Sequence, residues 1–180
     1  MKLSALAVAT ALFSGSIFAA PLTLQTYNPQ EKGIFAVNST LVSGPHEAVL
    51  FDAQFSVKDG EKLVDMIKKN GKPLTRIVIT SGDPDFYFGL EPLMKAFPQA
   101  EVVATPEVVK HIEATKAAKL AYWGPQMKDG APTQVYVPQA LKTHQDSAGV
   151  IKAMETQWPG LAETSSLELS AKVNTGEMKW

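Results

Sequence analysis

The chain has 180 residues, 17 basic and 18 acidic side chains for a net charge of −1, 45% hydrophobic residues and no cysteine. That length suits one domain with a sizeable core, while the scattered, nearly balanced charge leaves no electrostatic footprint for nucleic acid or anionic lipid. Disulfides are excluded, so stability must come from the core or a bound ligand.

At the N-terminus, Lys2 precedes an uncharged run from Leu3 to Phe18, and small residues cluster at Ser14, Gly15, Ser16, Ala19 and Ala20 before Pro21. This pattern reads as a secretory signal peptide over residues 1–20, cleaved after Ala19 or Ala20. The apolar run is shorter than the roughly 20 residues that a membrane span needs. The expectation is a periplasmic or secreted protein, detached from the membrane after cleavage.

The mature chain opens with Leu22-Thr23-Leu24-Gln25-Thr26-Tyr27, an alternating run that ends at Asn28-Pro29 and predicts a strand and a turn. Phe35 to Ser43 is a second β-prone run, closed by Gly44-Pro45, and Ala48 to Asp52 is a third. The last two make a hairpin. From Ser56 the period changes. Val57, Leu63, Val64 and Ile67 share one face, and Asn70-Gly71 supplies a helix stop.

Arg76 to Thr80 is continuously apolar apart from its ends and predicts a strand in a sheet covered on both faces. A turn-rich loop, Ser81-Gly82-Asp83-Pro84-Asp85, follows it. A short helix is expected from Leu90 to Phe97, then a strand over Glu101–Ala104. Thr105-Pro106 opens a longer helix, as N-cap and first-turn proline, running to about Leu120. Gln134 to Val137 is a further expected strand. Asp146 to Trp158 reads as a helix, and Ser165-Ser166-Leu167-Glu168 offers a capping box for a last helix, although Leu167, Leu169, Ala171 and Val173 also alternate as in a strand. The order β-β-β-α-β-α-β-α-β is that of an α/β protein with an antiparallel beginning.

A strand pair ending in Leu50-Phe51-Asp52-Ala53, a helix, then a strand ending in Thr80 and a ligand-type loop resembles the opening half of the metallo-β-lactamase fold. Family members carry Thr-His-x-His-x-Asp-His in that loop. Here the matching residues are Thr80-Ser81-Gly82-Asp83-Pro84-Asp85-Phe86, followed by Tyr87-Phe88-Gly89-Leu90. The resemblance covers about residues 22–137. It implies a partial αβ sandwich, the first αβ half plus C-terminal helices, with residues 21–141 as the domain and 142–180 as a helical tail.

The resemblance further implies metal-assisted hydrolysis of a small-molecule substrate by a zinc-bound hydroxide. The ligand loop departs from the family at each imidazole: Ser81, Asp83 and Phe86 replace the three histidines, and only Asp85 keeps its identity. Zinc sites are built mainly on nitrogen or sulfur donors, so without these imidazoles a standard dinuclear zinc site is not expected. Asp83 and Asp85 still pair carboxylates suited to calcium or magnesium, but the preferred reading is a turn whose aspartates cap backbone N–H groups or the following helix. Asp52, with Ser81, is expected in a supporting role.

Family members draw their remaining ligands from a second αβ half. After Val137-Pro138-Gln139-Ala140-Leu141 this chain passes almost directly to its terminal helices, which reads as an internal deletion near residues 141–145. Of the three histidines, His46 and His111 are expected on the surface, and His144 is a remote stand-in ligand. Phe86-Tyr87-Phe88 and Tyr122-Trp123 are expected mainly in the core. Little or no hydrolase activity follows. The competing expectation is a non-catalytic binding or interaction module that uses the sheet edge left exposed by the missing half, and such an edge favours a homo-oligomer.

Overall fold

Three antiparallel-type segments enter the fold first, as their alternation dictates. The protein is seen in a computed structural model that describes residues 22–141, 146–157, 164–175 and 177–178. The signal-peptide segment, the 142–145 stretch with His144, and Trp158 therefore lie outside the described residues. Strands β1 (Thr23–Tyr27), β2 (Ser39–Ser43) and β3 (Ala48–Phe51) form a meander, β1 against β2 and β2 against β3, both antiparallel. The second strand begins at Ser39 rather than Phe35, because Phe35 leaves the sheet to pack on Phe55 and Trp123, with ring centroids 5.0 and 5.3 Å away.

Helix α1 (Val57–Asn70) follows with both ends specified locally. Ser56 Oγ accepts from the Asp59 amide at 3.1 Å, which satisfies one of the orphan donors of the first turn. At the other end Gly71 takes the left-handed conformation, φ 77°, as a helix C-terminus commonly requires. Strand β4 (Leu74–Val78) then pairs parallel to β3, and β5 (Glu101–Ala104) parallel to β4. Between them lie one helical turn, α2 (Pro84–Tyr87), and helix α3 (Leu90–Ala96). Helix α4 (Pro106–Met127) leads to the two-residue β6 (Gln139–Ala140), which pairs parallel to β5. The sheet order is β1-β2-β3-β4-β5-β6, and helices α5 (Ser147–Gln157) and α6 (Thr164–Asn174) follow. The fold is therefore α/β in the order expected, and the last segment is helical.

Register shows how the core is built. Leu41, Leu50, Ile77 and Val102 lie side by side across β2 to β5 and are all buried. They share one hydrophobic cluster with Leu63, Val64 and Ile67 of α1, Leu90 and Leu93 of α3, and Ile112 of α4. The opposite face differs. Along it run Leu24, Val42, Val49, Arg76 and Glu101 in register, with Arg76 and Glu101 exposed as an ion pair at 2.8 Å. A sheet covered on both faces is thus not what β4 sits in. Its Thr75 and Arg76 are exposed, and only Leu74 and Ile77 are buried.

Two element bounds also differ from the sequence reading. Helix α4 continues seven residues past Leu120, through Pro125 in its last turn, to Met127; Trp123 anchors that turn edge-on against Phe55 at 5.5 Å. The strand expected at Gln134–Val137 is absent. Glu91, buried on α3, takes the amides of Thr133 (2.7 Å) and Gln134 (3.3 Å) and the Thr133 hydroxyl (2.8 Å). Backbone N–H groups committed to a carboxylate are not free for a ladder, so the strand forms only beyond Pro138.

Glu91 gives a pH prediction. Its hydrogen bonds, from Lys95 first and then from Thr133 and Gln134, hold its carboxyl down at about 2 from an ordinary 4.5. A carboxyl held below its unfolded value contributes stability that is complete above 4.5 and lost as pH falls toward 2. Lys95 is well exposed, so its share is screened and small. Glu91→Gln should therefore lose roughly 1–2 kcal/mol at pH 7. It should also flatten the acid limb of a urea-denaturation series; an unchanged limb would show that Glu91 is not what ties α3 to residues 133–134.

Candidate functional site

The candidate site lies where β3 and β4 end, because parallel strands deliver their C-terminal ends to one edge of the sheet. β3 runs out at Phe51, and the next residues turn sharply: Asp52 and Gln54 both take positive φ, 62° and 71°. Aspartate tolerates that conformation better than most residues. The turn aims the Asp52 carboxylate across to the end of β4, where Oδ1 accepts from the Thr80 amide and Oδ2 from the Thr80 hydroxyl, both at 2.8 Å. Asp52 is buried. Burial, and to a lesser degree the charge of Asp85, hold its carboxyl above the ordinary range, against the opposing pull of Thr80.

Beyond Thr80 the loop is short and local. Ser81 Oγ accepts from the Asp83 amide at 3.3 Å, and Pro84 starts α2 with Asp83 at the N-cap position, although the Asp83 side chain makes no capping bond there. It points instead to α4, where Lys119 Nζ lies 2.9 Å from Asp83 Oδ1, 3.0 Å from the Gly82 carbonyl and 3.1 Å from His111 Nε2. An ammonium only donates, so a hydrogen bond from Lys119 needs His111 Nε2 as its acceptor. The Lys119 side chain is 21% exposed and Asp83 is 62% exposed. A pair of that exposure adds little stability alone. The Lys119 hydrogen bond is the main reason the Asp83 carboxyl is held below its usual range. Asp85 is half-buried, and burial first, then Asp83, push its carboxyl up.

Gly82 leaves room for this arrangement. A Cβ there would lie 2.5 Å from His111 Cδ2 and 3.1 Å from His111 Cβ, so a side chain at this position would displace the imidazole. His111 is exposed, as expected, but it is engaged with Lys119 and Gly82. The sequence gives no hint of this contact: Lys119 and His111 share a helix, yet nothing local joins that helix to the loop. The one usable signal is direction. Helical side chains lean toward the N-terminus, so Lys119 reaches back along α4 toward His111.

The remaining candidates are placed apart. His46 is exposed beside the β2–β3 turn. Tyr87 and Phe88 are fully buried in the core, and Phe86 and Trp123 pack against it, while Tyr122 is exposed. Among the described residues the Tyr87 hydroxyl has no hydrogen-bond partner, and burial pushes it up to about 12.

With the Lys119 ammonium in place, the site's residues do not fit a zinc ion. Ser81, Asp83 and Phe86 supply no imidazole, and the Asp83 carboxylate already faces the Lys119 ammonium. Among the described residues no group of three or more His, Cys, Asp or Glu side chains converges as a metal site. No helix among them is long and apolar enough to cross a membrane.

The sequence profile of the metallo-beta-lactamase superfamily matches residues 33–164. Among solved structures, the chain is similar to a metallo-β-lactamase from Hirschia baltica, with 17% identity over 53% of this chain and 43% of that one, TM-score 0.42. It is also similar to a metallo-β-lactamase from Erythrobacter litoralis with β-mercaptoethanol in its active site (18% identity, 68% and 47%, TM-score 0.44) and to the DIM-1 metallo-β-lactamase (24% identity, 53% and 42%, TM-score 0.43). The chain spans less than half the length of each of these structures. No individual curated protein matches it.

Proposed function

The chain belongs to the metallo-beta-lactamase superfamily, and from that premise we propose that it is an exported member with little or no metal-dependent hydrolase activity. One observation carries the reading: the ligand loop offers Ser81, Asp83 and Phe86 where the family's metals need imidazoles, and a lysine ammonium sits 2.9 Å from the Asp83 carboxylate. No hydrolytic step is therefore routed through zinc in this chain. Export rests on the Lys2-to-Ala20 pattern, which would leave residues 21–141 as the αβ domain and 142–180 as its helical tail in the periplasm or medium.

A second reading, a non-catalytic binding module, is favoured by the sheet's first edge. Thr23, Leu24, Gln25 and Thr26 are all exposed in β1, and the strand has no charge, proline or bulge to discourage pairing. A partner chain, including a second copy, could add a strand there.

The test is direct. Mature protein purified from zinc-supplemented cells should hold well under one zinc per chain and turn over neither a chromogenic β-lactam nor an aryl phosphodiester above background. Stoichiometric zinc together with turnover that EDTA abolishes would overturn the proposal.

A further inference from the structure

We infer that Lys119 is a resident cation, its ammonium filling a three-donor site made by the Asp83 carboxylate, the His111 imidazole and the Gly82 carbonyl. The inference rests on the proposed loss of metal-dependent hydrolysis and deepens it. A loop that lacks zinc ligands explains why no metal is held; it does not explain what organises the loop instead.

The geometry answers that. Three acceptors on two separate elements converge on one point, at 2.9, 3.0 and 3.1 Å from Nζ. They match the three donor hydrogens of an ammonium one for one. The acceptors are of different types, one anionic, one carbonyl and one imidazole, and only a cation satisfies all three together. The loop is built to permit this. Gly82 gives up a side chain so that its carbonyl can reach the point beside His111, and Lys119 itself is largely covered while Asp83 stays open to solvent. The charge of Lys119 also lowers the Asp83 carboxyl, as a bound cation would.

The donor set has a consequence. Carboxylate oxygen, carbonyl oxygen and imidazole nitrogen are all donors that a divalent ion accepts. Held around one point, they form a latent metal site that the lysine keeps closed. Asp83, one of the three, is 62% exposed. The wild-type chain should therefore ignore divalent metal, and removal of the ammonium should expose the site.

Lys119→Met keeps the aliphatic stem and deletes the charge. The wild-type Tm should move by less than about 1 °C with zinc chloride or EDTA, and the variant should melt lower in EDTA. Zinc added to the variant should then raise its Tm by roughly 4 °C or more once the ion exceeds its Kd about 100-fold, because binding to the native state stabilises it. The double variant Lys119→Met/His111→Ala should lose that response. A Lys119→Met variant that is indifferent to zinc, whether or not it melts like wild type, would overturn the inference.

A measurement on the unaltered protein guards against a variant that fails to fold. Nitrogen-15 shifts should place the His111 proton on Nδ1; a proton on Nε2 would also overturn the inference. These outcomes separate the two proposals. An inactive, zinc-free wild type with His111 protonated on Nε2 removes only the resident cation, whereas an active zinc enzyme removes both.

Discussion

Gly89→Ala is expected to be the most damaging single-atom-scale change in the chain, lowering stability by about 4 kcal/mol, a large part of the 5–15 kcal/mol typical of a domain. The reason is space and not backbone conformation, since Gly89 has an ordinary φ of −76°. A Cβ there would lie 2.1 Å from the Ala53 carbonyl oxygen and 2.9 Å from that of Ser56. Neither can move cheaply. The Gly89 amide donates to Gln54 O at 2.9 Å, and the Ala53 amide donates to Phe86 O at 2.7 Å, so the 53–56 turn and the 86–89 turn are laced together. Gly60 of α1 presses on the same point, its missing Cβ falling 2.3 Å from Gly89 O.

Gly71→Ala is the matching control. A methyl group at Gly71 would meet nothing within 4 Å among the described residues, but the residue sits at φ 77°, so alanine there costs only the left-handed conformation, about 1 kcal/mol. Urea denaturation of the two variants compares close approach with backbone strain. A Gly89→Ala loss no greater than that of Gly71→Ala would show that the turns separate freely.

Asp52→Ala is expected to cost about 3 kcal/mol, from two unmade hydrogen bonds to Thr80 and an alanine forced to φ 62°. Asp52→Asn should cost under about 1 kcal/mol. The amide oxygen still accepts from the Thr80 amide, its NH2 can donate to the Thr80 hydroxyl, and asparagine tolerates the left-handed region. The pH dependence separates charge from shape. A carboxyl held above its ordinary 3.8 in the folded state binds its proton more tightly there. Its contribution is therefore greatest below 3.8 and declines as pH rises through the folded-state value. Asp52→Asn should remove that decline, so its deficit relative to wild type shrinks between pH 3 and pH 7. A deficit that grows with pH would mean that the Asp52 charge itself stabilises the turn. Both variants should also loosen the 81–85 loop, since Asp52 fixes Thr80, from which that loop departs.

The two proposals on the site rest on different residues. Loss of hydrolysis rests on what occupies positions 81, 83 and 86; the resident cation rests on Lys119, His111 and Gly82. Ordinary hydrolase assays address the first, and melting with metal addresses the second.

Elements whose signals lie within a few residues were readable from the chain. Ser56 with Gly71, and Thr105 with Pro106, mark helix ends because caps and backbone conformations are local. The β2–β3 hairpin and the α/β order followed from hydrophobic period and turn residues, and the altered ligand loop was visible residue by residue. Three things were not readable. The exposure of Thr75 and Arg76 in β4 depends on what packs over the sheet, which a run of apolar residues does not specify. The missing strand at Gln134–Val137 depends on Glu91, 42 residues from Thr133 in sequence, whose carboxylate claims the amides a ladder would use. The Lys119 contact depends on where α4 lands against the 81–85 loop. Sequence alone determined which chemistry the loop had lost, because a side chain's donors are fixed by its identity. Only the tertiary structure decided what replaced it, because an ammonium 36 residues from Asp83 reaches that carboxylate through the packing of α4, and packing is a property of the whole chain.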